Sequence, residues 1–418
     1  MTFPWQYGQW IAIGRLSAFP SRRNFTACSG GVSIGSVPIG AADAGPGHQT
    51  SLATYLAGGR LGTVMRSLPL EDVHRGLGAA FGDVAGWRLP LDYGDAAAEQ
   101  RAVRATAGVI DWSAEGKTRI DGADRTSFLD GVLTNDVGAL AQGRGAHAAA
   151  LDHKGRVRGD VVVYHGGDHY FLATEPEATA PVLAHLNQLL VSDDATLTDV
   201  SARWCAFGLF GPRSPEIAAN LLVGSPPEEA YRVVAAEREG TPFVLARSPY
   251  VGGDGFELWA PPEGAEAVWR SLLDAGAIPF GLRALEALRI EAGRPRYPAD
   301  MNETTLAIEA RLEPSISFTK GCYVGQEVVS RATRIGHVNR LLVGLAVDGP
   351  GTPAPGTAVA ADGKTVGAIT SAARSESMGT AIALGYVRRE SSEPGTELLV
   401  AGDPERRARV AALPFVRA

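Results

Sequence analysis

The sequence predicts an α+β fold that ends in a small β-barrel. Helical periodicity and strand-like alternation both occur between residues 97 and 293, but helices do not alternate regularly with single strands, which disfavours a doubly wound parallel sheet. Residues 340–418 read almost wholly as short strands separated by turns such as Asp348-Gly349-Pro350-Gly351 and Asp362-Gly363, the pattern of a small barrel. A chain of 418 residues has room for two to three domains, and 45% hydrophobic with 20% charged residues is the composition of a globular chain that can bury a core.

Residues 1–64 hold one acidic residue, Asp43, and no lysine; rich in Gly, Ser and Ala with little periodicity, they are expected to be a disordered extension, with Met65 as the natural start. They superficially resemble an organelle transit peptide but lack the basic start and apolar centre of a secretory signal. Helices are expected over 97–108, 124–132, 177–191, 264–275 and 281–293, each bounded by turn residues. Strands are expected over 117–120, 146–152, 159–164, 169–174, 205–210, 242–247 and 255–260. No stretch approaches the ~18 apolar residues of a membrane span, so no membrane partner is expected. A net charge of −7 with interspersed signs gives no broad basic surface for nucleic acid. Three cysteines, 28, 205 and 322, without a CxxC pair argue against a disulfide scaffold, a zinc site or a cluster held by four cysteines, and for a reducing compartment. Four lysines among 39 basic residues suggest a GC-rich, bacterial coding bias, so a bacterial cytoplasm is the expected location.

Lys320-Gly321-Cys322-Tyr323-Val324-Gly325-Gln326-Glu327 is the most informative segment. Its two glycines leave Cys322 little cover, and Gln326 to Arg331 read as helix. Cys322 is therefore expected at or just before a helix N-terminus, where the dipole favours a thiolate. Lys320, Arg331 and Arg334 would add positive charge. Cys28 and Cys205 read as small buried hydrophobes. His147, His153, His165 and His169 show no ligand spacing and read as surface histidines.

The octapeptide resembles the KGCYxGQE signature of the YgfZ-type tetrahydrofolate-binding proteins, which act in assembly or repair of iron-sulfur proteins and are relatives of the glycine-cleavage T-protein, the aminomethyltransferase. The resemblance covers roughly residues 74–415. Gly86-Trp87-Arg88-Leu89-Pro90 through Tyr93, with Glu99, Arg104 and Asp111, looks like the shared opening segment. Gly122-Ala123-Asp124-Arg125 and Thr134-Asn135-Asp136-Val137 look like the helix and turn that follow. Gly155-Arg156-Val157-Arg158-Gly159-Asp160 is similar to a T-protein pattern ending in two acids, with Gly159 in place of the first. Gly252-Gly253-Asp254-Gly255-Phe256-Glu257 and Leu288-Arg289-Ile290-Glu291-Ala292-Gly293 are similar to its GYTGEDGFE turn and LRLEAG helix. Gly367 to Ser371, Ile382 to Tyr386 and Leu413-Pro414-Phe415 look like its barrel strands.

The resemblance implies two intertwined folate-binding domains over 71–335 around a central channel, then a barrel over 340–418. It implies tetrahydrofolate or a one-carbon derivative as cofactor, and iron-sulfur client proteins or assembly factors as partners. Cys322, Lys320 and Asp160 become candidates for the chemistry, and Asp160, Glu257 and Arg289 for holding folate. A carboxylate can bridge adjacent N–H donors of a pterin, and a guanidinium can hold a carboxylate of the folate tail. Glu291, two residues from Arg289, faces elsewhere and reads as solvated. One chain cannot ligate a whole cluster, so a cluster at Cys322 would need partner thiols or glutathione.

The alternative is an aminomethyltransferase proper, which Asp160, Glu257 and Arg289 favour and which Gly159 and the octapeptide oppose. A third reading is a folate-binding or docking protein without turnover. A chain beginning at Met65 is expected to keep its melting temperature and folate affinity; loss of soluble folding on that truncation would refute the reading of residues 1–64.

Overall fold

The computed structural model describes residues 65–222, 224–334, 336–402 and 404–416, so the expected extension over 1–64, with Cys28, lies outside the described residues. Three larger sheets organise what is described. One has six strands in the order Val233–Arg238, Thr241–Arg247, Gly255–Ala260, Cys205–Phe210, Gly108–Asp111 and Ile278–Pro279, antiparallel except for its last pair. The second has five antiparallel strands, Gly145–Leu151, Val157–His165, Tyr170–Thr174, Gly116–Asp121 and Thr196–Asp199. The third is a closed six-stranded barrel built between Arg340 and Ala411. This is the α+β arrangement with a terminal barrel that the strand pattern predicts.

Side chains alternate across a strand, and that parity decides which face of each sheet is apolar. Phe207, Leu209, Phe243, Leu245, Phe256 and Leu258 of the six-stranded sheet pack against Val268, Trp269 and Leu272 of the helix Pro262–Asp274. In the five-stranded sheet, Val157, Val161, Val163 and Leu172 pack against the helices Arg125–Val132 and Thr179–Leu189 through Phe128, Leu129, Val182 and Leu186. The intervening residues, Glu257 and Trp259 in one sheet, Asp160, Tyr164 and Phe171 in the other, fall on the opposite faces. Those faces meet: the Trp259 ring lies 5.8 Å from Tyr164 and 5.6 Å from Phe171.

The chain crosses between the sheets at 112–115, since the strands Gly108–Asp111 and Gly116–Asp121 belong to different sheets although one turn separates them. The helix Leu282–Glu291 joins the barrel to the rest through Ile290, packed on Leu342, Ile382 and Leu384. Glu291 is buried rather than solvated: it accepts from Arg104 at 2.6 and 2.9 Å and from Ser375. The other polar residues of the opening segment are also structural. Glu99 accepts from the backbone N–H of Tyr93 and Gly281, and Asp111 pairs with the buried His74 at 2.8 Å.

Some elements escaped the sequence reading. Pro90 hides a strand, Trp87–Asp92, which pairs with Ala80–Val84 through a turn in which Ala85 and Gly86 both have positive φ, as tight hairpin turns require. The helix expected over 97–108 runs from Ala96 to Ala105, capped by Asp95, because Gly108 already opens a strand.

The octapeptide is wedged between two elements of the five-stranded half. Val324 N–H donates to Gly131 O at 3.0 Å, at the end of the helix Arg125–Val132, and Gly325 crosses the 151–157 hairpin turn. At Gly325 φ is +85°, and a Cβ there would lie 2.7 Å from Asp152 O, whereas a Cβ on Gly321 would meet nothing within 4 Å. Gly325→Ala is therefore expected to cost about 1–3 kcal/mol of stability and Gly321→Ala less than about 0.5 kcal/mol, which urea denaturation of the two variants measures.

Candidate active site

Where the two sheets meet lies a cavity that opens to solvent; its apolar half, of about 110 Å³, is bordered by the strand Trp87–Asp92, the crossing turn and the helix Leu282–Glu291. Trp112, Leu89, Leu91, Leu282 and Leu285 line that half. The polar half continues from it past Trp112, Glu115, Glu175 and Tyr250, which border both, to Asp160, Tyr164, Glu257 and Arg294.

Glu257 accepts from Tyr164 Oη at 3.1 Å and Trp259 Nε1 at 2.5 Å. Burial pushes its carboxyl above the ordinary range; these donors, with Lys117 and Glu115 beside it, oppose that rise without cancelling it. Glu115, on the crossing turn, is pushed well above its ordinary value by burial first and by the charge of Glu257 second. Lys117 is fully buried, with Nζ 2.9 Å from Glu115 O, and burial lowers it against the pull of both acids. Two carboxyls and one ammonium thus share a dry corner.

Asp160 behaves oppositely. Burial would raise it, but His147, hydrogen-bonded through Nε2 to Oδ1, and Arg294, 3.7 Å from Oδ2, outweigh that and hold it below the usual carboxylate range. His147 reaches it because it lies one strand over, two residues from the position paired with Asp160. It belongs to the site and not to the solvated surface on which the sequence reading put it.

Residues 70–320 match the GCVT N-terminal domain family, and residues 340–417 match the glycine cleavage T-protein C-terminal barrel domain family. The chain belongs to the glycine-cleavage T-protein family. It is 34% identical to the aminomethyltransferase of Rubrobacter xylanophilus over 84% of this chain and 95% of that one. It is 36% identical to that of Cutibacterium acnes over 81% and 94% of the two chains. The crystal structure of glycine cleavage system aminomethyltransferase T from Bartonella henselae superposes with a TM-score of 0.77 at 26% identity, covering 84% of this chain and 98% of that one.

Against this T-protein frame, the residues singled out in the sequence separate into groups. Asp160 and Glu257 come together in the cavity. Arg289 lies at the cavity wall, but its five N–H donors are all engaged, by Glu286 at 2.5 and 3.0 Å, Asp300 at 2.5 Å, Ser371 at 2.7 Å and Arg294 O at 3.0 Å. It has no donor left for a folate carboxylate. Lys320 is tied within the protein: its Nζ is held by the carbonyls of Asp130, Leu133 and Asn135 at 2.5–3.1 Å and by the Asp130 carboxylate at 2.9 Å. It closes the end of the helix Arg125–Val132 and anchors the octapeptide. Cys322 is exposed, outside the cavity, and four residues upstream of the helix Gln326–Arg334 rather than at its first turn. Cys205 is buried as expected, and burial pushes its thiol up to about 11.

The sequence reading missed Glu115, Lys117, His147 and Arg294. Lys117 did carry a signal, a lysine opening an apolar-alternating strand, but nothing local indicates which sheet face will be covered. Because Asp160 is held below its ordinary 3.8, the stability it lends is complete above that pH and is lost as pH falls through the depressed value. Asp160→Asn is expected to cost about 1–3 kcal/mol at pH 7. The gap to the wild type should close in acid below the ordinary carboxylate range, as denaturant titrations at both pH values would record.

Proposed function

We propose that the protein binds tetrahydrofolate in the cavity between the sheets and transfers to it a one-carbon unit from a carrier-bound aminomethyl group, the aminomethyltransferase reaction. The observation that carries this reading is Asp160, a carboxylate held toward its ionised form that lines the same cavity as Glu257. The aminomethyltransferases to which the chain is similar along most of its length support it. The cavity fits a folate: an apolar half takes a flat ring system, and the polar half offers carboxyl oxygens to ring N–H groups.

The substitution at Gly159 does not weigh against turnover. Adjacent strand residues point to opposite faces, so position 159 faces the helix Thr179–Leu189, where a Cβ would lie 2.1 Å from a Val182 methyl. The acid absent there would not have reached the cavity.

In that reaction the S–CH2 and CH2–N bonds of the aminomethyl carrier break, the carbon bridges two folate nitrogens as a methylene, and the two protons those nitrogens lose go to the carrier sulfur and to ammonia, which leave as thiol and ammonium. On this reading Asp160 steadies the developing ammonium and takes up or returns a proton. His147 and Arg294 keep it ionised, and Glu257 orients the ring by accepting its N–H groups.

One observation favours a second reading, that of a YgfZ-type factor for iron-sulfur proteins: Cys322 is exposed on a loop pinned by Lys320 and Gly325, outside the cavity, where a partner's thiol or metal can reach it. Incubation with tetrahydrofolate and aminomethyl-lipoyl carrier protein decides the matter. The transferase reading expects stoichiometric methylenetetrahydrofolate and ammonia, a fall of about 10²-fold or more with Asp160→Asn, and full activity with Cys322→Ser. No turnover by the wild type, together with failure of Cys322→Ser to restore iron-sulfur enzyme activity in cells lacking the protein, would install the second reading.

A further inference from the structure

We infer that Arg283 holds a carboxylate of the folate tail at the mouth of the cavity, so that the site selects an acid-tailed folate over the bare ring. The inference deepens the folate reading and rests on it.

Three cations line the apolar half of the cavity, Arg283, Arg289 and Arg296. Two are committed within the protein: Arg289 has no donor to spare, and Arg296 stands among Glu175, Glu177 and Glu286 at 3.9–4.0 Å. Arg283 differs. One of its N–H groups goes to the Asp92 carboxylate, and among the described residues its other four donors meet no partner. Its side chain is 56% exposed, and it is the one exposed residue among those lining the apolar half, so it stands where that half opens to solvent.

The place of Arg283 is fixed by its neighbours. Gly281, immediately before the helix Leu282–Glu291, donates its N–H to Glu99 at 2.9 Å and packs against the backbone of Leu91, which sets where the helix begins. Asp92, next on that strand, accepts from Gly94 N–H with one oxygen and from Arg283 with the other. A guanidinium held by one edge in this way loses little freedom on taking a second carboxylate with the rest of its fork. The order of the lining also matches the order of the ligand. Asp160 and Glu257 lie in the polar half, Trp112 and the leucines in the apolar half, and Arg283 at its opening. Tetrahydrofolate presents, in the same sequence, a ring edge rich in N–H donors, an apolar benzoyl ring and a glutamate with two carboxylates. Asp111 and Glu286, which line the apolar half, oppose a carboxylate placed any deeper.

Calorimetric titration of the full chain with tetrahydrofolate and with 6-methyltetrahydropterin, which has the ring but no tail, tests this in wild type, Arg283→Gln and Arg283→Lys. The wild type is expected to bind tetrahydrofolate more tightly than the bare ring, with a preference that shrinks as salt is added, because the contact lies at an exposed mouth. Arg283→Gln should weaken tetrahydrofolate about three- to tenfold at low salt, leave the bare ring unchanged and lose most of the salt dependence. Arg283→Lys, which keeps the charge but not the fork, should fall between the two. The bare ring and the melting temperature of each ligand-free variant keep the test sound should a variant fold poorly, since a damaged cavity weakens both ligands alike. Unchanged tetrahydrofolate affinity in Arg283→Gln would overturn the inference and leave the folate reading standing. Equal weakening of both ligands would also overturn it, by assigning Arg283 to building the cavity. A wild type that binds neither ligand would remove the folate reading itself, and the inference with it.

Discussion

The buried guanidinium of Arg289 is the interaction on which the cavity's shape depends. It ties together its own helix through Glu286, the segment that follows through Arg294 O and Asp300, and the barrel through Ser371. Asp300 extends the tie, accepting from Arg296 N–H at 3.0 Å and from Thr370 Oγ1 at 2.5 Å. The 294–300 segment is thereby fixed, and it delivers Arg294 both to Asp160 and over the ring of Tyr250 at 4.6 Å. Buried ion pairs are poor sources of net stability, but removing one partner strands the other. With Asp300 and Glu286 both dependent on it, Arg289 is held to one geometry, and what that geometry specifies is where Arg294 stands.

A second constraint follows from strand parity. Each sheet spends one face on an apolar core with its own helices, and in an isolated sheet the other face would be solvated. Here the two remaining faces cover each other, so residues at ordinarily wet positions become buried together. That is why Glu257, Asp160, Tyr164 and Trp259 coexist in one dry seam and why their acids are displaced from ordinary values. The displacement runs in opposite directions: Asp160, with His147 and Arg294, is driven toward the anion, while burial drives Glu115 and Glu257 toward retaining a proton. Carboxyls whose environments push them apart in this way are equipped for different tasks.

The sequence made legible what periodicity and motif express. The barrel strands, the five helices and the inner strands carry clean alternation or helical spacing, and Asp160 and Glu257 stand in strings long enough to be matched. What it hid depended on contacts between distant segments. Glu115 reads as a polar turn residue until Glu257, more than a hundred positions away, is placed against it. His147 reads as a surface strand histidine until its neighbour strand brings Asp160 across. Arg289 and Lys320 erred in the other direction: both stand in strongly matched motifs, and both prove to be internal ties whose donors are already taken. A motif preserves a residue for its role in building the site as readily as for contact with what the site binds, and composition cannot separate the two.

The octapeptide shows the same point at larger scale. No residue from Lys320 to Glu327 lines the cavity, and the hairpin turn that Gly325 crosses is separated from Asp160 by at least three strand residues, about 10 Å. The cavity and the cysteine loop are therefore separate features of one scaffold, and retention of one says little about the other. Eight residues barely move an identity taken over a whole chain, so likeness to aminomethyltransferases weighs the cavity and is nearly blind to Cys322. Conversely, the match at the octapeptide carries information about an exposed thiol on a rigid loop and none about Asp160. Because the loop is anchored by Lys320 on helix-end carbonyls and leaves the seam between the sheets untouched, a thiol function there would be added to the cavity without dismantling it.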